Sequence, residues 1–414
     1  MKKSQIKKIK AREILDSRGY PTVEVDLETN FGVFYASVPS GTSKSIYEAK
    51  ELRDGGPRYL GMGVSKAVQN VNKIIAPKLI GQDPSKQEKL DLLMRKLDGT
   101  KDKGSLGANA MLAVSMALCR SAAFARSMPL WQWISQLAET SPSMPVPCLL
   151  YLEGGLHGRG DLDVQEFMAI TEADSFAERL RIGTELYHNL RELINEKFGK
   201  RTTNVGLEGG FTPPLKETSD ALNLLIEAAL KTSNKKVKLI LDVAASTFYR
   251  DGKYYFEGEI FDRKALFDFY SDICAHYPIQ GLEDPFAQTD WQGFQELNER
   301  LGKKIDIIGD DLLATNVYRM EMAEDKNACQ GLILKPNQIG TVTETIETAK
   351  HALTNQWQVF VKHRAGETSD TFISDLAVGL GTGWIMAGAP QRGERVAKYN
   401  RLLRIAEELK LLKP

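Results

Sequence analysis

Five short apolar segments in the second half of the chain each end in a charged or polar side chain. The segments are 237–242, 279–283, 305–310, 331–335 and 359–363, and they end at Asp242, Glu283, Asp310, Lys335 and His363. The ending residues are 41, 27, 25 and 28 positions apart, so each gap can hold a helix and its turns. Repeated strand–helix units with polar groups at the strand ends predict a (β/α) barrel, whose active groups gather at the C-terminal face. A doubly wound sheet would give a similar spacing, and periodicity alone does not separate the two folds.

The first part of the chain has a different pattern. Segment 21–27 alternates apolar and polar side chains, and segment 32–38 follows a turn with Asn30 and Gly32, which predicts a β-hairpin. The Ala-, Leu- and Met-rich stretch 107–128 predicts a helix. Prolines within 141–147 then interrupt the pattern. We therefore predict two domains, at residues 1–140 and 141–414.

Composition limits the classes of partner. The chain has 54 basic and 54 acidic side chains among 414 residues, and this zero net charge argues against a nucleic-acid-binding function. The cysteines are widely spaced and predict reduced thiols in a cytoplasmic protein; they are Cys119, Cys148, Cys274 and Cys329. The basic N-terminus lacks the apolar core of a signal peptide, and the sequence predicts no membrane span.

Three acids, Asp242, Glu283 and Asp310, end successive predicted strands. In a barrel they would converge, and hard oxygen ligands in that number suit Mg²⁺. Each acid alone could instead cap a helix or pair with a nearby cation. Lys335 would face the same barrel mouth, where a divalent cation and desolvation lower a lysine pKa and allow it to act as a base. The alternative for Lys335 is a structural ion pair with one of the carboxylates.

Two further acids and one histidine lie in polar, glycine-containing segments. Glu166 and Glu208 could share one site, where mutual repulsion raises the pKa of one of them and leaves it protonated as a general acid. Either acid could instead be a solvated loop residue. His157 lies in the glycine-rich segment 154–160, which predicts a mobile loop. The sequence contains no His/Cys cluster typical of zinc and no nucleotide-binding glycine motif.

A series of motifs in this sequence resembles the enolase family, in the family's order and over nearly the whole chain. The motifs are 15–25, 38–43, 165–167, 204–210, 282–286, 310–312, 335–340, 363–368 and 397–404. The resemblance implies an α/β fold, in which an α+β N-terminal domain precedes an enolase-type (β/α)8 barrel that begins with two strands before the regular repeats. It also implies dehydration of 2-phosphoglycerate to phosphoenolpyruvate.

The resemblance implies a role for each matching residue. Lys335 is expected to remove the proton next to the substrate carboxylate, and Glu208 to protonate the departing hydroxyl, with Glu166 beside it. Two Mg²⁺ ions are implied, the first held by Asp242, Glu283 and Asp310 and the second joined by Ser43 on a closing loop. His157 would arrive on another loop. The implied substrate-binding residues are Gln165, Glu283, Asp310, His363 and Arg364, with Arg364 on the phosphate. A homodimer or larger oligomer is also implied, with Arg12–Glu407 and Glu24–Arg404 pairs across its interface.

The sequence departs from the family pattern inside the expected pocket. Met386 stands where the family places a lysine near the substrate carboxylate, and Ala365 replaces a serine that helps to hold phosphate. Lys44 and Lys362 add positive charge, so these four positions are also expected to determine substrate binding. The remaining departures are Leu207, Ser45, Glu153 and Pro336.

These departures leave three functions open. The first is an enolase with shifted substrate anchors. The second is a paralogue that removes a proton and water from a related phosphorylated or phosphonate acid, such as carboxyphosphonoenolpyruvate synthase. The third is a weakened enolase fold that serves as a binding protein. The retained base, acid and metal ligands argue against the third function. A small acidic substrate is common to the first two.

Overall fold

The computed structural model describes residues 4–158, 160–232 and 236–411. Three antiparallel strands open the chain: β1 (Ile6–Leu15), β2 (Pro21–Thr29) and β3 (Gly32–Ser37). Five helices follow: α1 (Ser65–Asn70), α2 (Ala76–Leu79), α3 (Gln87–Asp98), α4 (Ala108–Ala125) and α5 (Leu130–Ala138). Buried and partly exposed residues alternate along most of β2. Helix α4 packs on β2 and β3, so this three-stranded sheet is covered on one side.

The rest of the chain forms a nine-stranded sheet. Its strands are β4 (Val146–Pro147), β5 (Leu149–Glu153), β6 (Glu166–Thr171), β7 (Val237–Asp242), β11 (Ile279–Glu283), β12 (Asp306–Gly309), β13 (Gly331–Leu334), β14 (Gln358–Lys362) and β15 (Gly383–Met386). The spatial order is β4-β15-β14-β13-β12-β11-β7-β6-β5. Because β4 and β5 are consecutive in the chain, the sheet closes on itself. The strands β5, β6 and β7 pair antiparallel, and the others pair parallel. The predicted α/β barrel that begins with two strands is therefore confirmed.

Helices surround this barrel. They are α6 (Gly155–Gly158), α7 (Phe176–Phe198), α8 (Thr218–Leu230), α9 (Arg263–His276), α10 (Trp291–Leu301), α11 (Val317–Asp325), α12 (Pro336–Ile339), α13 (Val342–Thr354), α14 (Phe372–Leu380) and α15 (Gly393–Leu411). Helix α10 shows how they form: Asp290 caps its first turn by accepting from the Gly293 amide, and Phe294 and Leu297 bury one face. The long gap between Asp242 and Glu283 holds an additional small sheet of β8 (Tyr249–Arg250), β9 (Lys253–Phe256) and β10 (Glu259–Phe261) before α9.

Helix α4 bears on the sequence prediction that the chain has no membrane-spanning segment. By length and composition it is apolar enough to cross a membrane, although the sequence alone predicted no such segment. In the fold, 83% of that segment is buried, as expected for a core helix under the N-terminal sheet. Its Arg120 binds Asp370 of the barrel domain through both guanidinium nitrogens, at 2.6 and 2.7 Å.

None of the four cysteines, which all lie in the described ranges, forms a disulfide.

Strand register determines which side chains meet at the barrel mouth. Glu153 pairs with Glu166, Glu166 with Asp242, and Asp242 with Glu283, so four carboxylates form one row across four neighbouring strands. At the corresponding ends of β14 and β15, Lys362 pairs with Met386. The row exists because β5 runs antiparallel to β6 and β6 antiparallel to β7, which brings the start of β6 to the end of its neighbours.

Candidate active site

The barrel mouth contains a cavity of about 220 Å³. Most of the residues predicted from the sequence line it; they are Ser43, His157, Gln165, Glu166, Glu208, Asp242, Lys335, Lys362, His363, Arg364 and Ala365, together with Thr42. Nearly all of these groups are buried, including Glu166 at 1% and Lys362 at 2% exposure. In such a site, electrostatic interactions are stronger than in water because little solvent screens them.

Lys362 lies among the carboxylates of the row. Its Nζ is 2.8 Å from Asp242 Oδ2, 2.8 Å from both carboxylate oxygens of Glu283 and 3.0 Å from Glu166 Oε2. Burial alone would lower the pKa of Lys362, but the attraction of Asp242, Glu166 and Glu283 outweighs it and raises that pKa well above its usual value. Lys362 is therefore an ammonium group held between two of the predicted metal ligands.

Lys335 is held by the third predicted metal ligand. Its Nζ donates to Asp310 Oδ2, while Gln338 donates to the other oxygen of Asp310 at 2.9 Å. Burial would lower the pKa of Lys335, yet the Asp310 charge raises it above the usual value. The same pairing holds the pKa of Asp310 at about 2 in spite of its burial. The ion pair considered as the alternative for Lys335 is thus formed, whereas the lowered pKa was expected for a lysine beside a bound divalent cation.

Glu208 is surrounded by two histidines. His363 Nε2 lies 3.0 Å from Glu208 Oε2, and His157 Nδ1 lies 3.5 Å from Glu208 Oε1 and 3.4 Å from Glu166 Oε1. Arg395, which is fully buried, donates to His363 Nδ1 at 2.6 Å. Because an arginine can only donate, Nδ1 of His363 accepts, and the ring proton is on Nε2, facing Glu208.

The carboxyl group with a raised pKa differs from the one expected. Burial would raise the pKa of Glu208, but His363 and His157 hold it well below its usual value. The pKa of Glu166 is also lowered, through Lys362 and His157, although burial and Glu208 oppose this. Burial, with Glu208 nearby, instead raises the pKa of Glu153 well above its usual value. Glu153 accepts from the Glu208 amide at 2.7 Å, and its other carboxylate oxygen has no hydrogen-bond partner among the described residues.

Arg364 faces the N-terminal domain. Its guanidinium donates to both carboxylate oxygens of Glu48 at 3.1 Å, to the Ser43 carbonyl at 3.0 Å and to Asn337 Oδ1 at 3.2 Å. Two-point contact of this kind is the strongest form of charge-assisted hydrogen bond. It joins the predicted closing loop to the barrel mouth. Gly41 makes the approach possible, because a Cβ atom there would lie 1.8 Å from Arg364 Nη2.

Gly41→Ala is expected to displace the Arg364 guanidinium. Losing one charge-assisted contact removes roughly 1.5–3 kcal/mol, so KM for an anionic substrate should rise about 10- to 100-fold with a smaller change in kcat. Steady-state kinetics measure both values. Gly393→Ala is the matched control, because a Cβ atom at Gly393 meets no atom within 4 Å. An unchanged KM in the Gly41 variant would contradict the proposed contact.

Three predicted substrate-binding positions have other surroundings. Lys44 is 37% exposed, pairs with Glu51 and is not among the residues that line the cavity. Met386 is buried at 1% exposure beside Lys362 and carries no charge to the mouth. Ala365 lines the cavity, but its side chain has no hydrogen-bonding atom, and its carbonyl accepts from Arg395 at 2.6 Å.

The carboxylates at the mouth suit a hard divalent cation. Asp242, Glu283 and Asp310 are each at most 6% exposed, and two ammonium groups, Lys362 and Lys335, offset part of their charge. The three acids are not one of the tightly spaced ligand groups among the described residues. Those groups, with ligand atoms within 4.8 Å of one another, are His157/Glu166/Glu208 and Asp284/Asp310/Asp311. Asp284 accepts from the Asp310 and Asp311 amides at 3.0 and 2.7 Å and so supports the end of β12.

Comparison with known proteins agrees with this geometry. The family model described as "Enolase, N-terminal domain" matches residues 6–134, and "Enolase, C-terminal TIM barrel domain" matches residues 141–412. The protein named "Enolase" from Mastigamoeba balamuthi is 49% identical over 98% of this chain and 96% of its own length. This chain belongs to the enolase family. It is accordingly a hydro-lyase of the enolase type, a family that uses Mg²⁺.

The site also contains residues that the sequence did not identify as functional. Arg395 fixes the His363 ring, Glu48 binds Arg364, and Gln338 holds Asp310. Gln338 lies inside a motif that the sequence had already singled out, and Glu48 follows the predicted closing loop by five residues. Arg395 gives no comparable signal, because a charged residue at the start of a helix usually faces solvent.

Proposed function

We propose that this chain dehydrates 2-phosphoglycerate to phosphoenolpyruvate. The observation that carries the proposal is the placement of Lys335 and Glu208, a base and an acid from different parts of the chain, in one buried cavity with the strand-end carboxylate of Asp242, which Lys362 links to Glu283. The identity of 49% with a protein named enolase over almost the full length supports it. The phosphonate paralogue considered from the sequence rests on Met386 and Ala365, and the near full-length match to a protein named enolase does not favour it.

In this function, Lys335 removes the proton next to the substrate carboxylate after it has released its own ammonium proton. Glu208, which is ionised in the free protein, must first take up the proton that it then supplies to the departing hydroxyl. The His363 ring, fixed by Arg395, orients the Glu208 carboxyl group at 3.0 Å. His157 and Glu166 complete this acidic side of the cavity. Burial excludes water, which would otherwise quench the enolate formed by proton removal.

Asp242, Glu283 and Asp310 would hold one Mg²⁺, and a second would be joined by Ser43. Bound Mg²⁺ stabilises the negative charge that develops on the substrate carboxylate during proton removal. Arg364 would bind the phosphate. In doing so, Arg364 would exchange one anionic partner, the Glu48 carboxylate, for another, the substrate phosphate. Gln165, which donates to Asp242 at 3.3 Å, positions that ligand.

The test is an absorbance assay for phosphoenolpyruvate. Purified protein with Mg²⁺ and 2-phosphoglycerate should form product at a rate typical of enzymes, and a chelator should abolish the rate until Mg²⁺ is restored. A related phosphonate acid serves as the competing substrate. The proposal fails if 2-phosphoglycerate is not turned over, and the paralogue becomes the better description if only the phosphonate acid reacts.

We also propose a homodimer in the cytoplasm. In the chain, Arg12 donates to Glu24 at 2.6 Å and also binds Asp26, while Arg404 and Glu407 are exposed on α15. A dimer with Arg12–Glu407 and Glu24–Arg404 pairs would replace these contacts within the chain by similar contacts between chains. Pairs of this kind contribute little energy, so they would orient the dimer more than hold it together.

A further inference from the structure

Lys362 is the feature of this site that the proposed reaction does not yet use. The carboxylates of Asp242, Glu283 and Glu166 are each at most 2% exposed, and they share this one ammonium group. The other lysine of the cavity, Lys335, is taken by Asp310. Carboxylates buried together without a cation are strongly unfavourable. Lys362 therefore supplies the positive charge that allows these acids to lie side by side.

The ammonium of Lys362 and a bound Mg²⁺ need the same place. The 2.8 Å contacts of Nζ reach one oxygen of Asp242 and both oxygens of Glu283, which are two of the three ligands proposed for Mg²⁺. Mg²⁺ requires oxygen ligands at about 2.0–2.1 Å in an octahedral arrangement. An ammonium group between the same two carboxylates leaves no room for such an arrangement. Metal binding at these ligands therefore requires Lys362 to leave them.

Lys362 can leave without leaving the cavity. A lysine has a flexible stem of four methylene groups, and the Lys362 backbone is fixed at the end of β14, paired with Met386 on β15. The cavity that Lys362 lines also contains Arg364, already placed for phosphate. The second anionic group of the proposed substrate is a carboxylate. Lys335 is assigned to proton removal, so the displaced Lys362 ammonium is the lysine among the described cavity residues that is left to bind this carboxylate.

We propose that Lys362 is a tethered counter-ion that is exchanged for Mg²⁺ at Asp242 and Glu283, and that its displaced ammonium then binds the substrate carboxylate. The part that concerns the substrate rests on the proposed function, whereas the exchange with Mg²⁺ does not. The exchange couples metal binding to substrate binding, because the metal frees the cation that the substrate needs.

The first experiment measures binding of Mg²⁺ alone, by calorimetry, without substrate. Lys362→Met should bind Mg²⁺ about tenfold tighter or more, because no ammonium competes for the carboxylates. In a chelator, the same variant should melt at a lower temperature than the parent, and Mg²⁺ should restore it. Lys264→Met is the matched control, since it removes one positive charge from an exposed lysine on α9, outside the cavity. Unchanged or weaker Mg²⁺ binding by Lys362→Met would overturn the exchange.

A second readout uses the parent protein and does not depend on a variant folding. Amine acylation followed by mass spectrometry should modify Lys362 several-fold faster with saturating Mg²⁺ than with chelator, while the rate at the exposed Lys264 stays constant. Equal rates at Lys362 in the two conditions would show that it does not leave the carboxylates, and would also overturn the exchange. Neither readout requires turnover, so failure of the proposed function would be seen separately.

The proposed contact between Lys362 and the substrate carboxylate is tested by moving the positive charge to the paired position on β15. Lys362→Met should raise KM for 2-phosphoglycerate about tenfold or more at saturating Mg²⁺. Adding Met386→Lys should return KM towards the parent value, because the two positions are paired in register at the same strand ends. A KM that does not rise in the single variant would overturn the carboxylate contact while leaving the Mg²⁺ exchange standing.

Discussion

Lys335→Ala is expected to lower kcat about 10³–10⁴-fold, in the upper part of the range for loss of a general base. Lys335 is the cavity amine assigned to take the proton; it directly follows strand β13 and lies beside Asp310. The variant also leaves Asp310 without its ammonium partner, although Gln338 still donates to that carboxylate. The unpaired, buried Asp310 should lower the melting temperature, so kcat is compared at a temperature well below the melting transition of the variant.

The measurement that isolates this step is exchange of the substrate proton with deuterated solvent, followed by NMR. Lys335→Ala should lose exchange together with turnover, since both require proton removal. Lys350→Ala is the matched control, because Lys350 is a partly exposed lysine on α13 that lies outside the cavity and pairs with Glu139. Exchange at the parent rate in the Lys335 variant would assign the base to another residue. A cooperative melting transition that begins above the assay temperature confirms that the fold is retained during the measurement.

The strand-end series in the sequence predicted the barrel and most of its mouth. Asp242, Glu283, Asp310 and Lys335 could be placed because the ends of neighbouring barrel strands converge whatever their side chains are. The fold confirmed this convergence. The series could not distinguish free carboxylates from ion-paired ones, since pairing depends on side-chain reach across the barrel. The raised pKa of Lys335 beside Asp310 is the consequence.

Residues whose surroundings depend on contacts with distant parts of the chain were harder to predict from the sequence. Lys362 could be recognised as added charge, but its contacts with Asp242 and Glu283 depend on strands that lie 120 and 79 positions away in the sequence. Glu153 was only a departure from a family pattern until strand register placed it beside Glu166. The exposed position of Lys44 likewise depends on where its loop meets Glu51. Long-range register and loop path, which short motifs do not encode, decide all three positions.

Glu208→Gln is expected to lower kcat about 10²–10⁴-fold while keeping solvent exchange of the substrate proton. The amide has nearly the same shape and can lie at the same 3.0 Å from His363 Nε2, so the pocket should keep its geometry. It cannot supply a proton to the departing hydroxyl. Exchange should persist because the Lys335–Asp310 pair makes no contact with Glu208 among the interactions of the described residues.

The two variants together separate the steps of the reaction. Loss of exchange in Lys335→Ala and its retention in Glu208→Gln would show that proton removal precedes departure of the hydroxyl and that different residues perform the two steps. Glu324→Gln, a change on the outer helix α11 where Glu324 pairs with His351, controls for the loss of one carboxylate. If Glu208→Gln loses exchange as completely as turnover, the two steps are not separable, and Glu208 must then act on the proton that Lys335 was assigned to remove. Because Glu208 and Lys335 have separate hydrogen-bond partners, the structure favours the first outcome.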